Sequence, residues 1–306
     1  MSLRIVFMGT PEFAVPSLRC LFDAGYDIVA VVTAPDKPAG RGLKLTESAV
    51  KKFAQEKGLK ILQPEKLKDP VFIETLRSLQ AELNVVVAFR MLPEMVWNMP
   101  PLGTINLHAS LLPHYRGAAP INWAIINGEK MTGLTTFRLQ HEIDTGNILL
   151  QKEIPITEND TAGTLHDKMM DAGACLLLQT IDGIAANTLS EISQRDLPGA
   201  DNLQHAPKIF TDTCEIDWNQ TVDKIYNHVR GLSPYPAAFT FLKGKKMKVF
   251  SAEKEHAPIA EKPGEWKTDN KTYLKFVARD GYIHIKTLQP EGKRKMIVED
   301  FLRGWR

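Results

Sequence analysis

Hydrophobic and polar positions in the first part of the chain alternate between short apolar runs and longer amphipathic segments. The apolar runs predict strands over 4–8, 28–33, 60–62, 83–88 and 103–107. The segments between them predict helices over 11–24, 46–57 and 71–79. Strands that are apolar throughout and alternate with helices are typical of a parallel sheet covered on both faces. This pattern predicts a Rossmann-like, doubly wound α/β domain.

The pattern changes after residue 133. Two strand-like runs, 134–139 and 148–154, flank a segment that contains Asp144-Thr-Gly146, which is typical of a β-hairpin and its turn. A helix is predicted over 164–185. Residues 187–207 show no sustained periodicity and contain Pro198, Gly199 and Pro207, so a linker is predicted there.

The last third of the chain returns to β-type alternation after one predicted helix over 221–230. Four strands are predicted over 238–242, 246–252, 272–278 and 282–288. Lys243-Gly-Lys245 and Arg279-Asp-Gly281 are hairpin-type turns between them. A small antiparallel β-barrel of the OB-like type closes such strands. The predicted division is an α/β domain over 1–188, a linker over 189–207 and an OB-like domain over 208–306.

Charge and composition narrow the class of protein. The formal net charge is only +2, but residues 208–306 hold 19 Lys and Arg against 13 Asp and Glu. This excess fits either a polyanionic partner or a solvated Lys-rich surface. No apolar stretch approaches the roughly 20 residues that cross a bilayer, and no signal-peptide core follows Arg4, so the expected compartment is the cytoplasm.

The sequence lacks the motifs of several common functional sites. Cys20, Cys175 and Cys214 are odd in number and far apart in sequence, so neither a disulfide framework nor a metal site is expected. The turn after the first strand places Pro11 and Glu12 where a dinucleotide-binding loop needs small residues. Neither a phosphate-binding P-loop motif nor a G-x-S-x-G nucleophile motif occurs.

The most informative polar residues lie at the end of the predicted strand over 103–107. Asn106 and His108 are two residues apart, so their side chains share one face, at the edge where open α/β sheets place their ligands. An amide donor and a group that accepts protons near neutral pH form a candidate catalytic pair, although satisfied polar residues at a strand end would look the same. Asp144 either orients His108 or is an ordinary turn aspartate.

At these residues the chain resembles a known family. The segment Asn106-Leu-His-Ala-Ser-Leu-Leu-Pro113 and its continuation to Glu129, with Asp144-Thr-Gly-Asn-Ile-Leu149, resemble the formyltransferases that use 10-formyltetrahydrofolate. Arg4-Ile-Val-Phe-Met-Gly-Thr-Pro11 and the residues up to Leu18 narrow the resemblance to the methionyl-tRNA formyltransferase family. Ala206-Pro-Lys-Ile209 and Ile216-Asp-Trp218 extend it into the C-terminal domain, so it covers essentially the whole chain.

The resemblance implies a reaction, a co-substrate and a set of site residues. The implied reaction is transfer of a formyl group from 10-formyltetrahydrofolate to the α-amino group of initiator methionyl-tRNA, without a metal, and a monomer is expected. The implied catalytic residues are Asn106, His108 and Asp144. The implied folate-contacting residues are Ser110, Leu111, Leu112 and Pro113. The implied tRNA-binding residues are Lys37, Arg41 and Lys44 in the first domain and Lys243, Lys245, Lys246 and Lys248 in the second.

Two other readings stay open. A formyltransferase that acts on an amino sugar nucleotide shares the Asn-x-His and Asp motifs, but the basic loop over 36–45 and the C-terminal domain favour tRNA. A non-catalytic RNA-binding protein on the same scaffold would explain the charge asymmetry, but the intact Asn106, His108 and Asp144 argue against it. One segment, 137–143, departs from the family pattern by carrying His141 and Glu142 before the aspartate.

Overall fold

The computed structural model describes residues 3–39, 44–197 and 202–304. They form two compact units, each assembled from separate stretches of the chain. The first unit comprises 1–116, 133–154 and 167–204. The second comprises 117–132, 155–166 and 205–306. Among the described helices, none is long and apolar enough to cross a membrane.

The first unit is built on a seven-stranded sheet. The strands up to residue 206 are β1 (Arg4–Gly9), β2 (Asp27–Val32), β3 (Lys37–Ala39), β4 (Lys44–Thr46), β5 (Ile61–Leu62), β6 (Leu83–Val87), β7 (Thr104–His108), β8 (Arg116–Gly117), β9 (Met131–Arg138), β10 (Ile148–Pro155) and β11 (His205–Ala206). The strand order in the large sheet is β10-β9-β7-β6-β1-β2-β5. The β5-β2-β1-β6-β7 pairs are parallel, whereas β9 runs antiparallel to β7. The predicted α/β fold is confirmed, with an antiparallel addition at one edge.

The structure describes helices in both units. They are α1 (Val15–Asp23), α2 (Ala49–Glu56), α3 (Pro70–Ser78), α4 (Glu94–Trp97), α5 (Pro120–Ile126), α6 (Ala162–Ala185), α7 (Val222–Gly231) and α8 (Val298–Arg303). The predicted helix over 46–57 is shorter because Lys44–Thr46 forms β4 and Ser48 caps α2 by accepting a hydrogen bond from the backbone N–H of Lys51. The predicted helix over 11–24 starts as a 3-10 turn at Glu12–Ala14 and becomes α-helical at Val15.

The central strands of the sheet are buried on both faces, and their carboxyl ends are aligned. Ile5, Phe7 and Met8 of β1 are fully buried. Gly9 at the end of β1 pairs with Val87, and Val87 pairs with Leu107. The carboxyl ends of three parallel strands are therefore aligned, and the loops after β1, β6 and β7 leave the sheet at one edge.

The second unit contains a curled antiparallel sheet. Its strands are β12 (Ala238–Leu242), β13 (Lys245–His256), β14 (Trp266–Thr268), β15 (Leu274–Ala278), β16 (Gly281–Pro290) and β17 (Met296–Ile297). They follow the order β12-β13-β16-β15-β14, and β17 pairs with β16. Trp218 stacks on Phe276 with ring centroids 4.5 Å apart, and α7 contributes Ile225 and Val229 to the same core. The prediction of a small antiparallel β domain is confirmed.

Candidate active site

Strand β7 carries the two residues that the sequence singles out. Asn106 lies between Val86 of β6 and Phe137 of β9 in the strand register. It is half-buried, and its side-chain amide makes no hydrogen bond to any residue that the structure describes. His108, two residues further on, is only 7% exposed. The pair therefore offers a ready amide donor beside a shielded imidazole.

The two ring nitrogens of His108 have different surroundings. Nε2 lies 2.9 Å from the carbonyl oxygen of Tyr115. A carbonyl only accepts, so Nε2 carries a hydrogen and donates it. Nδ1 faces Asp144, with 3.9 Å between Nδ1 and Oδ2. That distance is too long for a direct hydrogen bond.

Asp144 is presented by a tightly closed turn between β9 and β10. Its backbone is left-handed, with φ of 54°, and its side chain is 13% exposed. The N–H of Arg138 donates to the carbonyl of Asn147 across the turn at 2.9 Å. A Cβ on Gly146 would lie 1.6 Å from the carbonyl oxygen of Arg138, so only glycine fits there. The turn thus places Asp144 opposite His108 through a close backbone contact.

Two side chains behind this turn were not predicted to be functional. Gln194, in the segment predicted to be a linker, is 2% exposed and donates to the carbonyls of Asp144 and Gly146. Its own carbonyl accepts from the guanidinium of Arg116. Burial lowers the pKa of Arg116, and the Asp144 carboxylate opposes that shift. An aperiodic, polar stretch of sequence gives no signal of such contacts.

The segment predicted to contact folate follows just after β7. Ser110 is fully buried and its hydroxyl donates to the carbonyl of His114, at 2.7 Å. Leu112 is 2% exposed and packs with Phe137 and Ile148. Pro113 is buried after a cis peptide bond, and Leu111 is half-buried. Three of these four residues are therefore buried in the protein interior, and Leu111 is the most accessible of the four.

The loop that follows β6 leaves the sheet at the same carboxyl end as the segment after β7. Ala88 has a left-handed backbone with φ of 49°, which turns the chain after the strand. The Arg90 guanidinium donates to the carbonyl of Glu65 at 2.8 Å and to that of Pro64. Met91 is 72% exposed. Sequence reasoning missed this loop, although its place after a parallel strand beside β7 is a usable signal.

Two of the predicted tRNA-binding residues of the first unit, Lys37 and Lys44, lie on the short β3–β4 hairpin. Exposed Lys37 lies on β3 opposite Thr46 of β4. Asp36 at its base pairs with Lys51, with 2.5 Å between Oδ2 and Nζ, and these contacts with Lys51 and Gln63 lower the pKa of Asp36. Lys44 contributes backbone to β4. Arg41 lies outside the described residues.

The predicted tRNA-binding lysines of the second unit are close in sequence but differ in their surroundings. Lys243 and Lys245 are exposed at the turn between β12 and β13. The Nζ atom of Lys246 lies 3.5 Å from the centroid of the buried Phe239 ring. Lys248 donates to the carbonyl of Pro236 at 3.3 Å. The structure thus gathers four lysines around one hairpin, and the ammonium groups of Lys243, Lys246 and Lys248 already have partners there.

Comparisons with known proteins agree over the full length of the chain. The family model described as formyl transferase matches residues 3–181, and that described as formyl transferase, C-terminal domain, matches 208–306. A methionyl-tRNA formyltransferase of Bacteroides thetaiotaomicron is 52% identical over 309 residues, which cover 99% of this chain and 96% of the relative. One of Phocaeicola vulgatus is 55% identical over 311 residues, with coverage of 99% and 96%.

Solved structures share the fold at lower identity. WlaRD, a sugar 3N-formyl transferase crystallised with dTDP and 5-N-formyl-THF, has a TM-score of 0.69 at 21% identity and covers 96% of this chain and 100% of that one. HypX from Aquifex aeolicus, in complex with tetrahydrofolic acid, has a TM-score of 0.66 at 18% identity, covering 99% of this chain and 47% of that one. Within the described residues, no group of three or more His, Cys, Asp or Glu side chains could hold a metal ion. The identity over both domains, with the site on β7, makes this chain a member of the methionyl-tRNA formyltransferase family.

Proposed function

We propose that this chain transfers the formyl group of 10-formyltetrahydrofolate to the α-amino group of initiator methionyl-tRNA. The observation that carries the proposal is the convergence of Asn106, His108 and Asp144 at the carboxyl edge of the sheet. The convergence occurs in a chain more than half identical, along nearly its whole length, to methionyl-tRNA formyltransferases. The proposed product is N-formylmethionyl-tRNA, the proposed place of action is the cytoplasm, and the proposed working form is a monomer.

Asn106 acts on the charge that develops during acyl transfer. An α-amino group has a reference pKa of about 7.7 to 8.0, so a sizeable neutral fraction is available near neutral pH. Its lone pair attacks the formyl carbon and the carbonyl oxygen becomes an oxyanion. Because the amide of Asn106 makes no hydrogen bond to the described residues, it donates to that oxyanion without first breaking a contact.

His108 handles the proton through Nδ1. The bond from Nε2 to the Tyr115 carbonyl holds the ring in one orientation. The positive charge of the imidazolium is balanced by the Asp144 carboxylate at 3.9 Å, so Nδ1–H donates toward the oxyanion or the departing folate nitrogen. Collapse of the tetrahedral intermediate breaks the bond from the formyl carbon to N10. N10 gains a proton as the attacking nitrogen loses one, so the reaction balances without a covalent enzyme intermediate.

The two loops after β6 and β7 provide the proposed folate site. Leu111 and the backbone of Ser110 to Pro113 form one side, and the loop of Phe89, Arg90 and Met91 forms the other. Buried hydrogen bonds fix the first side, since Gln151 donates to the carbonyl of Leu112 at 2.8 Å. A preformed, mostly apolar cleft with a few polar groups is the usual setting for such a ligand.

Lysine and arginine side chains provide the proposed contacts with tRNA phosphates. Lys37, Arg41 and Lys44 serve the acceptor end. Lys243 and Lys245, with Lys246 and Lys248 beside them, serve the rest of the RNA. Phe241, directly opposite Lys246 in the strand register and 49% exposed, adds an apolar contact to this cationic hairpin. Phosphate contacts supply affinity rather than identity.

A single-turnover transfer assay tests the proposal. The chain is mixed with 10-formyltetrahydrofolate and one acceptor, either methionyl-tRNA, free methionine or a dTDP-linked amino sugar. Rapid formylation of methionyl-tRNA, with no transfer to the amino sugar, is expected. Transfer to the amino sugar alone would replace the proposed substrate. Transfer to none of the three acceptors would favour a non-catalytic RNA-binding protein. Light scattering is expected to give a mass near 34.3 kDa, that of one chain.

A further inference from the structure

Gln194 uses its amide completely within the first unit. Nε2 donates to the carbonyl of Asp144 at 2.9 Å and to that of Gly146 at 2.8 Å. Oε1 accepts from Nε of Arg116 at 3.0 Å and from Nη2 at 2.6 Å. A primary amide has two donor hydrogens and one acceptor oxygen, whereas a carboxylate has no donor and a thioether has neither strong donor nor strong acceptor. The site is therefore specific for an amide.

Gln194 contacts Asp144 and the residue that follows Tyr115, and Asp144 and Tyr115 are the residues that face the two ring nitrogens of His108. Asp144, whose carbonyl accepts from Gln194, faces Nδ1 with its carboxylate. Arg116, which donates to Gln194, follows Tyr115, whose carbonyl accepts from Nε2. One buried amide thus joins the chain segments on the two sides of the imidazole. A substitution of Gln194 is therefore expected to alter the surroundings of both ring nitrogens of His108.

The segment around Gln194 is fixed independently of the amide. Ile192 exchanges two backbone hydrogen bonds with Ile148, at 2.8 and 2.9 Å. Glu191 accepts from Arg138 at 3.0 Å and from Asn147 at 3.1 Å, at the two ends of the Asp144 turn. Substitution of Gln194 therefore removes the contacts to the turn while these neighbouring contacts remain, so a local effect can be measured in a folded protein.

We propose that Gln194 is a positioning residue that sets the distance between Asp144 and the Nδ1 atom of His108. The inference rests on the proposed roles of those two residues in formyl transfer. The two donated hydrogen bonds, to the carbonyls of Asp144 and Gly146, hold the left-handed turn against Arg116, and the turn aims the carboxylate. Without them the turn relaxes away from the imidazole.

Two substitutions separate the halves of the amide. Gln194→Glu keeps an acceptor for Arg116 but removes both donors to the turn. Gln194→Met keeps the length and removes every hydrogen bond. Both are expected to lower kcat by about 10- to 100-fold, since misplacing a reacting group by about 1 Å costs up to about 100-fold. The KM values for 10-formyltetrahydrofolate and for methionyl-tRNA are expected to stay near wild type.

Gln140→Met is the matched control. Gln140 is exposed in the same turn and, within the part of the chain that the structure describes, donates only to the Thr145 hydroxyl, at 2.8 Å. This variant is expected to retain wild-type kcat. Thermal unfolding confirms that each variant is folded before its kinetics are compared, and if Gln194→Met is unfolded, Gln194→Glu alone decides.

A spectroscopic measurement distinguishes positioning from a general loss of structure. The 15N resonance of His108 Nδ1, assigned by its loss in His108→Ala, reports its electrostatic partner without any substrate. It is expected to move in both Gln194 variants and to stay in place in Gln140→Met. An unmoved resonance, or wild-type kcat in Gln194→Glu, overturns the inference. Because wild-type protein is assayed in parallel with methionyl-tRNA, failure of the proposed function would appear there instead.

Discussion

The closure of the Asp144 turn makes Gly146→Ala the most informative steric perturbation. An alanine Cβ would lie 1.6 Å from the carbonyl oxygen of Arg138 and 2.8 Å from its carbon, so no side-chain rotation relieves the clash. Reaching the 3.0 Å limit of real contacts requires the backbones to separate by at least about 1.4 Å. Asp144 is two residues away, so a shift of that size moves its carboxylate relative to His108.

A backbone shift on this scale is expected to lower kcat by about 100-fold or more. The overpacked turn is also expected to cost about 1 to 3 kcal/mol of unfolding free energy. The assay is steady-state formylation of methionyl-tRNA, with urea unfolding in parallel. Gly304→Ala is the control, because among the described residues its Cβ would meet only one atom, at 3.8 Å, which is an ordinary contact. Wild-type kcat in Gly146→Ala would refute the link between turn closure and catalysis.

Three other predictions follow from the site and its surroundings. Asn106→Ala should lower kcat by about 100- to 1,000-fold, measured by single-turnover transfer, while folate binding measured by fluorescence titration persists. Arg41→Ala should make the slope of log binding constant against log salt concentration shallower by about 1 for tRNA, which corresponds to one lost phosphate contact. An unchanged slope would argue against that contact. Lys267 and Tyr282 donate to Glu261 and lower its pKa to about 2, below the ordinary 4.5. Since a lowered carboxyl pKa stabilises the fold above the unfolded-state value, that stability should be lost as pH falls from about 4.5 to 2, and thermal unfolding of Glu261→Gln should show a weaker dependence there.

Strong local patterns made much of the fold predictable. The β12 bounds agree with the predicted strand over 238–242, and the apolar run over 83–88 agrees with β6 within one residue. Short elements with mixed composition were missed, including β14 (Trp266–Thr268) and β17 (Met296–Ile297). Their pairing with longer strands, rather than their own periodicity, defines them. A sequence window contains no record of such neighbours.

The candidate site divides in the same way. Asn106 and His108 could be placed on one strand face because period-two geometry is local. The approach of Asp144 depends on β9 lying against β7, and the residues alone left open whether Asp144 orients His108 or is an ordinary turn aspartate, so the resemblance to a family was needed to favour the first. Gln194 carried no signal at all, since its partners lie about 50 and 78 residues away along the chain. Long-range hydrogen bonds in aperiodic segments need a structure.

The central claim, that His108 acts in the chemical step, is tested most directly by His108→Ala. Single-turnover formylation is measured with saturating 10-formyltetrahydrofolate and methionyl-tRNA, and the binding of each is measured separately at equilibrium. The rate is expected to fall by about 100-fold or more while both dissociation constants stay near wild type, because the imidazole acts on charge that forms only in the transition state. A near-normal transfer rate in this variant would contradict the assignment.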